Sequence, residues 1–322
     1  MARVLGIDLG GTGSRVVLAP AEPSDGGSRM LHGERAAVTG SGSTVPDVAG
    51  AAVRAALDEW PDARDDLAAI AVGATGLATL VPEPDAMRTA IAATAGIAEA
   101  AVTVAGDLVT THLGALGGQA GAVVAVGTGS IALGTDFAST WQRVDGWGHL
   151  VGDRGAGVWI GIQALQVAAA AHDGRSSHGA ALLGAARKRF GATETWPSQL
   201  YTQQDRAGVL ASFAPEVAAL AADGDAAAVE IMSTAGAHVA TTLAAALVSG
   251  VPAVASYAGG VFEAGGVFTE SFERSFRELR PDAELRAPQG APVDGVVTLA
   301  RMTARAQLHR RPGFVWCAQS AT

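Results

Sequence analysis

Short apolar runs alternate with longer stretches of helical spacing through the first third of the chain. Val4–Leu9 predicts a buried strand, and Arg15–Ala19 predicts a second one after the turn Gly10-Gly11-Thr12-Gly13-Ser14. Residues 20–33 are rich in Pro, Gly, Ser and Asp and read as an exposed loop. A third strand is expected over Glu34–Thr39, ending in Gly40-Ser41-Gly42-Ser43. Apolar positions Val48, Ala51, Ala52, Ala55 and Ala56 give Asp47–Trp60 a helical face, with Asp47 as its N-cap. Ile70–Gly73 predicts a strand leading into Ala74-Thr75-Gly76, Asp85–Ala100 a helix, and Val102–Ala105 a strand that delivers Gly106-Asp107. Strands alternating with helices predict an α/β domain.

The second part begins with another strand, glycine turn and apolar run: Ala122–Val126, Gly127-Thr128-Gly129-Ser130 and Ile131–Leu133. It then becomes strongly helical, with helices expected over Gly155–Ala171, Gly179–Phe190, Arg206–Ala222 and Ala226–Val248. Val251–Tyr257 predicts a strand, Gly265–Leu279 a helix with a charged face, and Val293–His309 a last helix. Gly11-Thr12-Gly13-Ser14 and Gly127-Thr128-Gly129-Ser130 match, each between two apolar strands, which points to a duplicated domain.

Glycine density singles out residues 121–157. Glycine lets backbone N–H groups approach a ligand closely, and a run of free N–H groups favours an anion such as phosphate. Trp147, Asp145 and Asp153 lie beside that turn and suit a hydroxylated ligand, which offers apolar ring faces and hydrogen-bond donors. The residues therefore describe a phosphate turn adjoining a sugar pocket. The first turn is followed by a strand, where a dinucleotide fingerprint needs a helix, and no Gly-Lys-Ser/Thr follows it.

Composition narrows the classes. The chain of 322 residues exceeds what one compact core usually holds, so two domains are expected. A net charge of −9 argues against nucleic-acid binding. Lys188 is the one lysine, which argues against Schiff-base and P-loop lysine chemistry. Cys317 is the one cysteine, so no internal disulfide or CxxC metal site forms, as suits a reducing cytoplasm. The N-terminus has no apolar signal region. Polar residues and glycines interrupt the apolar stretches 156–171 and 226–250, which predict buried helices and no membrane span.

Taken together, these motifs resemble the sugar kinase, actin and heat-shock ATPase superfamily, and within it the N-acetylglucosamine kinase branch grouped with the BadF/BadG/BcrA-type ATPases. Gly6-Ile7-Asp8-Leu9-Gly10-Gly11-Thr12 resembles the first phosphate motif and Val126-Gly127-Thr128-Gly129-Ser130 the second. Tyr257-Ala258-Gly259-Gly260-Val261-Phe262 resembles the adenosine motif, and Gly146–Asp153 the sugar-binding segment. The resemblance implies an α/β fold of two ribonuclease-H-like (actin-like ATPase) domains flanking a nucleotide and sugar cleft. One would comprise residues 1–115 plus 296–322, the other 116–295 with helical insertions. It implies ATP-dependent phosphorylation of the 6-hydroxyl of N-acetylglucosamine, or of free glucosamine, in a cytoplasmic homodimer.

The resemblance also implies roles. Asp107 would be the base for the sugar hydroxyl, and Asp8 would hold Mg²⁺. Gly10, Gly11, Thr12 and the turn Gly127, Thr128, Gly129, Ser130 would contact ATP phosphates, with Gly259, Gly260 and Phe262 at the adenosine. Trp147, Gly148, Asp153, Thr75 and Gly76 would line the sugar, and Asp145 would meet a free ammonium. Asp145 stands where a glycine is common in the branch, and Arg154 where an acid is usual. Plainer readings stay open: Asp8 satisfying turn amides, Asp107 capping a helix, Trp147 packing in a core, Asp153 pairing with Arg154. His149, Arg187-Lys188-Arg189 and Cys317 read as local structure. An activator ATPase with an iron–sulfur cluster between subunits needs two cysteines per chain, and a sugar-responsive regulator needs a helix-turn-helix for which the N-terminus leaves no room.

Overall fold

The computed structural model describes residues 2–10, 13–23, 27–39 and 42–318. The chain opens with strands β1 (Arg3–Leu9), β2 (Ser14–Pro20) and β3 (Arg29–Gly33), then a small pair, β4 (Val38–Thr39) and β5 (Gly42–Ser43). Helix α1 (Val45–Glu59), β6 (Leu67–Ala74), α2 (Leu77–Leu80), α3 (Pro84–Ala95), β7 (Val102–Gly106) and α4 (Asp107–Ala115) follow. Next come β8 (Gly121–Val126), β9 (Ser130–Thr135), β10 (Trp141–Asp145) and helices α5 (Gly157–His172), α6 (Ala180–Phe190), α7 (Trp196–Thr202), α8 (Arg206–Ala211), α9 (Ala214–Ala222) and α10 (Ala226–Ala246). The chain closes with β11 (Val254–Ala258), α11 (Gly266–Leu279), β12 (Glu284–Leu285), α12 (Pro292–Ala304) and β13 (Val315–Trp316). These elements form two compact units, residues 1–119 with 288–322, and residues 120–287.

In the first unit the sheet order is β13-β7-β6-β1-β2-β3. β1 is parallel to β6 and β6 to β7, whereas β1–β2 and β2–β3 are antiparallel. Strand alternation gives the sheet two faces. Leu5, Ile7, Leu9, Ile70, Val72, Val102 and Val104 join one core with residues of α1 and α3. The opposite face carries small residues, and α4 and α12 lie on it: a Cβ at Gly6 would stand 2.9 Å from Val296, and one at Gly73 would strike Thr110. Thr303 of α12 donates to Thr103 of β7 at 2.9 Å, so the polar pair buried under that helix is satisfied.

The second unit repeats the topology. Its sheet runs β10-β9-β8-β11-β12, with β8–β9 and β9–β10 antiparallel and β8–β11 and β11–β12 parallel. Relative to its first strand, this is the order β3-β2-β1-β6-β7 again. The expected α/β architecture of two ribonuclease-H-like units is thus present, and the repeated glycine turn falls at the same place in each sheet. The unit's core joins the sheet to α5, α6 and α8–α11. Phe268, Phe272 and Phe276 are fully buried from α11, each contributing about 1.5–3 kcal/mol by removal from water. Gly236 permits the crossing of α10 and α11, because a Cβ there would collide with the carbonyl of Phe268. Among the described residues, no helix is long and apolar enough to cross a membrane.

Several elements differ from the expectation. Residues 29–33 form an edge strand, β3, within the expected loop, and of Glu34–Thr39 only Val38–Thr39 is extended. β3 is almost wholly exposed, so its pairing rests on backbone hydrogen bonds with β2 and leaves no apolar alternation. Helix α1 starts at Val45; Thr44 stands at the N-cap with its hydroxyl bonded to the Ala37 backbone and not to the helix, and Asp47 sits in the first turn. The single helix expected over Arg206–Ala222 divides at Ser212-Phe213, ahead of Pro215, because proline cannot supply the amide an unbroken helix needs. α3 stops at Ala95, where Gly96 takes φ 70°, and α12 stops at Ala304. The strand expected from Val251 begins at Val254, after Pro252.

Candidate functional site

Two constellations carry the candidate residues, one in each unit. In the first unit, the ladder aligns Asp8 of β1 with Gly73 of β6, and Gly73 with Ala105 of β7. The carboxyl ends of three adjacent parallel strands therefore present Asp8, Thr75 and Asp107 side by side, where open α/β sheets bind ligands. Thr75 is fixed by its amide, which donates to the Leu9 carbonyl at 3.0 Å. Gly76 caps the short α2 with φ 65°, a conformation that favours glycine.

Asp107 is the first residue of α4, after the N-cap Gly106. Burial is the main influence on its carboxyl and pushes its pKa above the ordinary range. A hydrogen bond from the Thr75 hydroxyl and bonds from the amides of Leu108 and Asp107 itself oppose that shift. A basic carboxylate held in place by a neighbouring hydroxyl is suited to accept a proton. Asp8 is also pushed up, first by burial and further by the charge of Asp107, while Arg15 draws it down from 3.6 Å. Two carboxylates close enough to repel make a place where a cation lowers the energy. Among the described residues no group of three or more His, Cys, Asp or Glu side chains is placed to hold a metal ion. The two carboxylates, Asp8 and Asp107, are a donor set of the kind Mg²⁺ uses, since it binds through one or two carboxylates and takes its remaining oxygens from water and a nucleotide. In the first glycine turn, the Gly10 amide donates to the Gly13 carbonyl at 3.0 Å. Gly11 and Thr12 lie outside the described residues.

In the second unit, Gly127-Thr128-Gly129-Ser130 links β8 to β9, and the Gly127 amide donates to the Gly129 carbonyl at 2.9 Å. Gly127 and Thr128 are exposed, and a Cβ at Gly127 would meet nothing within 4 Å. The first amides of α5 hold this turn: Gly157 donates to Gly127 at 2.9 Å and Val158 to Thr128 at 3.1 Å. Gly259 and Gly260 follow β11, which is parallel to β8, and both are exposed. Gly259 has φ 106° and passes against the Val126 carbonyl, so no side chain fits there. Phe262 lies in an aromatic cluster, 4.4 Å from Tyr257 and 5.0 Å from Phe272 between ring centroids.

The segment after β10 carries the remaining candidates. Trp147 is 68% exposed, so it is no core residue, and Leu150 and Val151 beside it are exposed as well. The Arg143 guanidinium lies 5.0 Å over the Trp147 ring and donates to the Asp145 carbonyl at 3.2 Å and the Gly146 carbonyl at 2.7 Å. Sequence reasoning passed over Arg143, since nothing in its spacing marks an arginine beneath an indole. Gly148 takes φ 85° with open space at its Cβ position. Asp153 is buried, and the amides of Ser130 and Gly148 near its carboxylate draw its pKa down. Burial, its largest influence, still leaves its pKa raised. Among the described residues no ion pair joins it to Arg154. Asp145 accepts the Asp153 amide on Oδ1 at 2.9 Å.

Comparison with known proteins agrees with this picture. A model of the BadF/BadG/BcrA/BcrD ATPase family matches residues 5–297. The N-acetylmuramic acid/N-acetylglucosamine kinase of Clostridium acetobutylicum is 36% identical over 74 residues, 23% of this chain and 24% of that protein. The match thus spans about a quarter of that relative's length. The crystal structure of a provisionally assigned N-acetylglucosamine kinase from Chromobacterium violaceum superposes with a TM-score of 0.68 at 28% identity, covering 93% of this chain and 99% of that one. A second provisional N-acetylglucosamine kinase, from Porphyromonas gingivalis, has a TM-score of 0.65 at 15% identity, covering 95% and 100%, and shares the fold.

Proposed function

Because this chain belongs to the BadF/BadG/BcrA/BcrD ATPase family and is a sugar-kinase relative, we propose that it transfers the γ-phosphoryl group of ATP to the 6-hydroxyl of N-acetylglucosamine. The observation that carries this reading is the row of Asp8, Thr75 and Asp107 at the carboxyl ends of β1, β6 and β7. Asp107 accepts the proton of the sugar hydroxyl as its oxygen attacks the γ-phosphorus, and the bond to the β-phosphate oxygen breaks with its electron pair leaving on ADP. Thr75 holds the Asp107 carboxylate in one orientation. Asp8 would hold Mg²⁺, which would supply charge neutralisation on the phosphates. The amides of the Gly127–Ser130 turn, with Gly10, Gly11 and Thr12, take the phosphates, and Gly259, Gly260 and Phe262 take the adenosine side. Trp147 offers its exposed ring to the sugar face, with Gly148 and Asp153 beside it, and Gly76 is a further candidate for contact with the sugar.

The alternative acceptor is free glucosamine, for which Asp145 would pair with the ammonium. One Asp145 oxygen is already engaged by the Asp153 amide, which favours the N-acetylated sugar. The reading also carries a cytoplasmic homodimer, checked by sedimentation. Phosphorus NMR of the product tests the position of transfer. A monoester resonance coupled to two methylene protons is expected for the 6-phosphate; coupling to one anomeric proton, or inorganic phosphate alone, contradicts it.

A further inference from the structure

The backbone of Ser130 is gripped from both sides by the loop that carries Trp147. Its carbonyl accepts the Gly146 amide at 3.0 Å, and its own amide stands beside the Asp153 carboxylate, whose pKa it draws down. The Gly148 amide acts on the same carboxylate, so Asp153 sits between the loop and the glycine turn. The approach is close: a Cβ at Gly129 would stand 2.8 Å from Asp153 Oδ2. Asp153 is itself held by Asp145, whose Oδ1 accepts the Asp153 amide at 2.9 Å. Both aspartates adopt left-handed backbone, φ 62° and 57°, which non-glycine residues keep only where surrounding bonds enforce it. The Asp145 carboxyl also fills the space over Gly152, where any side chain would collide with it.

We propose that Asp145 and Asp153 form a latch that fixes the phosphate turn to the Trp147 loop, making both of them positioning residues that couple nucleotide binding to sugar binding. The proposal rests on the kinase reading for the identity of the two ligands. A ligand that orders the loop orders the turn through Ser130, and the turn returns the effect to the loop by the same factor. Asp145 then affects the nucleotide although the phosphates are held elsewhere on the turn.

The test compares wild type with Asp145→Ala and Asp145→Asn, the latter keeping an acceptor oxygen for the Asp153 amide. Amide hydrogen exchange over residues 127–131 is read without substrate, and binding of Mg²⁺ with a non-hydrolysable ATP analogue is read with and without N-acetylglucosamine. Exchange at Ser130 is expected to accelerate at least about tenfold in Asp145→Ala. Analogue affinity should fall roughly tenfold, and the tightening by sugar, within the roughly 5–150-fold usual for coupled sites, should vanish. Asp145→Asn should restore all three. Unchanged exchange at Ser130 would overturn the latch, as would a sugar KM that shifts while analogue affinity stays at the wild-type value. The exchange arm needs no sugar, so a protein that phosphorylates none of them would defeat the proposed function and leave the latch to be judged on Ser130.

Discussion

The Thr75 hydroxyl stands beside the Asp107 carboxylate, at the ends of β6 and β7, and draws the pKa of the proposed catalytic base down. Its influence opposes that of burial, which is the larger and leaves the Asp107 pKa raised. Thr75→Val, which keeps the shape and loses the donor, should move the acid limb of the kcat/KM profile to higher pH. Thr75→Ser should leave it in place. A limb that stays still in Thr75→Val would show that another group titrates.

Asp107→Asn separates activity from stability. Activity should fall about 10²–10⁴-fold with loss of the base. The folded pKa of Asp107 is raised, so its contribution to stability is full below the ordinary aspartate value and is lost as pH rises through the folded value. At pH 7 the ionised group therefore weakens the fold, and the neutral amide should leave Tm unchanged or higher. A lower Tm at pH 7, read by calorimetry, contradicts that account.

Asp8→Asn removes the carboxylate placed for Mg²⁺. The Mg²⁺ concentration needed for half-maximal binding of the ATP analogue should rise severalfold, while analogue binding in the absence of Mg²⁺ should hold or improve as a negative charge is lost. Equal Mg²⁺ dependence in the two proteins would remove Asp8 from the metal role.

Much of this arrangement was legible in the sequence because local patterns dictate it. Val4–Leu9 and Ala122–Val126 are apolar runs buried on both faces, and the glycine turns after them mark the same position in two sheets. Elements with no such pattern were invisible. β3 is exposed and β13 is two residues long; both exist because a neighbouring strand offers unpaired backbone groups. At the site, the sequence identified Asp153 as an important acid and missed what it touches. Its placement beside the Ser130 and Gly148 amides depends on left-handed turns at Asp145 and Asp153, and the adjoining glycines, Gly146 and Gly152, were the one available hint.

Gly236→Ala should loosen the crossing of α10 and α11, since the added methyl collides with backbone of α11. Overpacking of this kind costs about 1–3 kcal/mol. Urea unfolding followed by tryptophan fluorescence should show a lower midpoint with little change in slope. An unaltered midpoint would mean that the helices separate without cost.

The most direct measurement is acceptor-dependent ADP release from Mg²⁺ATP with N-acetylglucosamine, glucosamine, N-acetylmuramic acid and glucose offered in parallel. The account predicts rapid release with N-acetylglucosamine, the highest kcat/KM of the four, and its loss in Asp107→Asn. ADP release that is the same with and without every one of these sugars would contradict it.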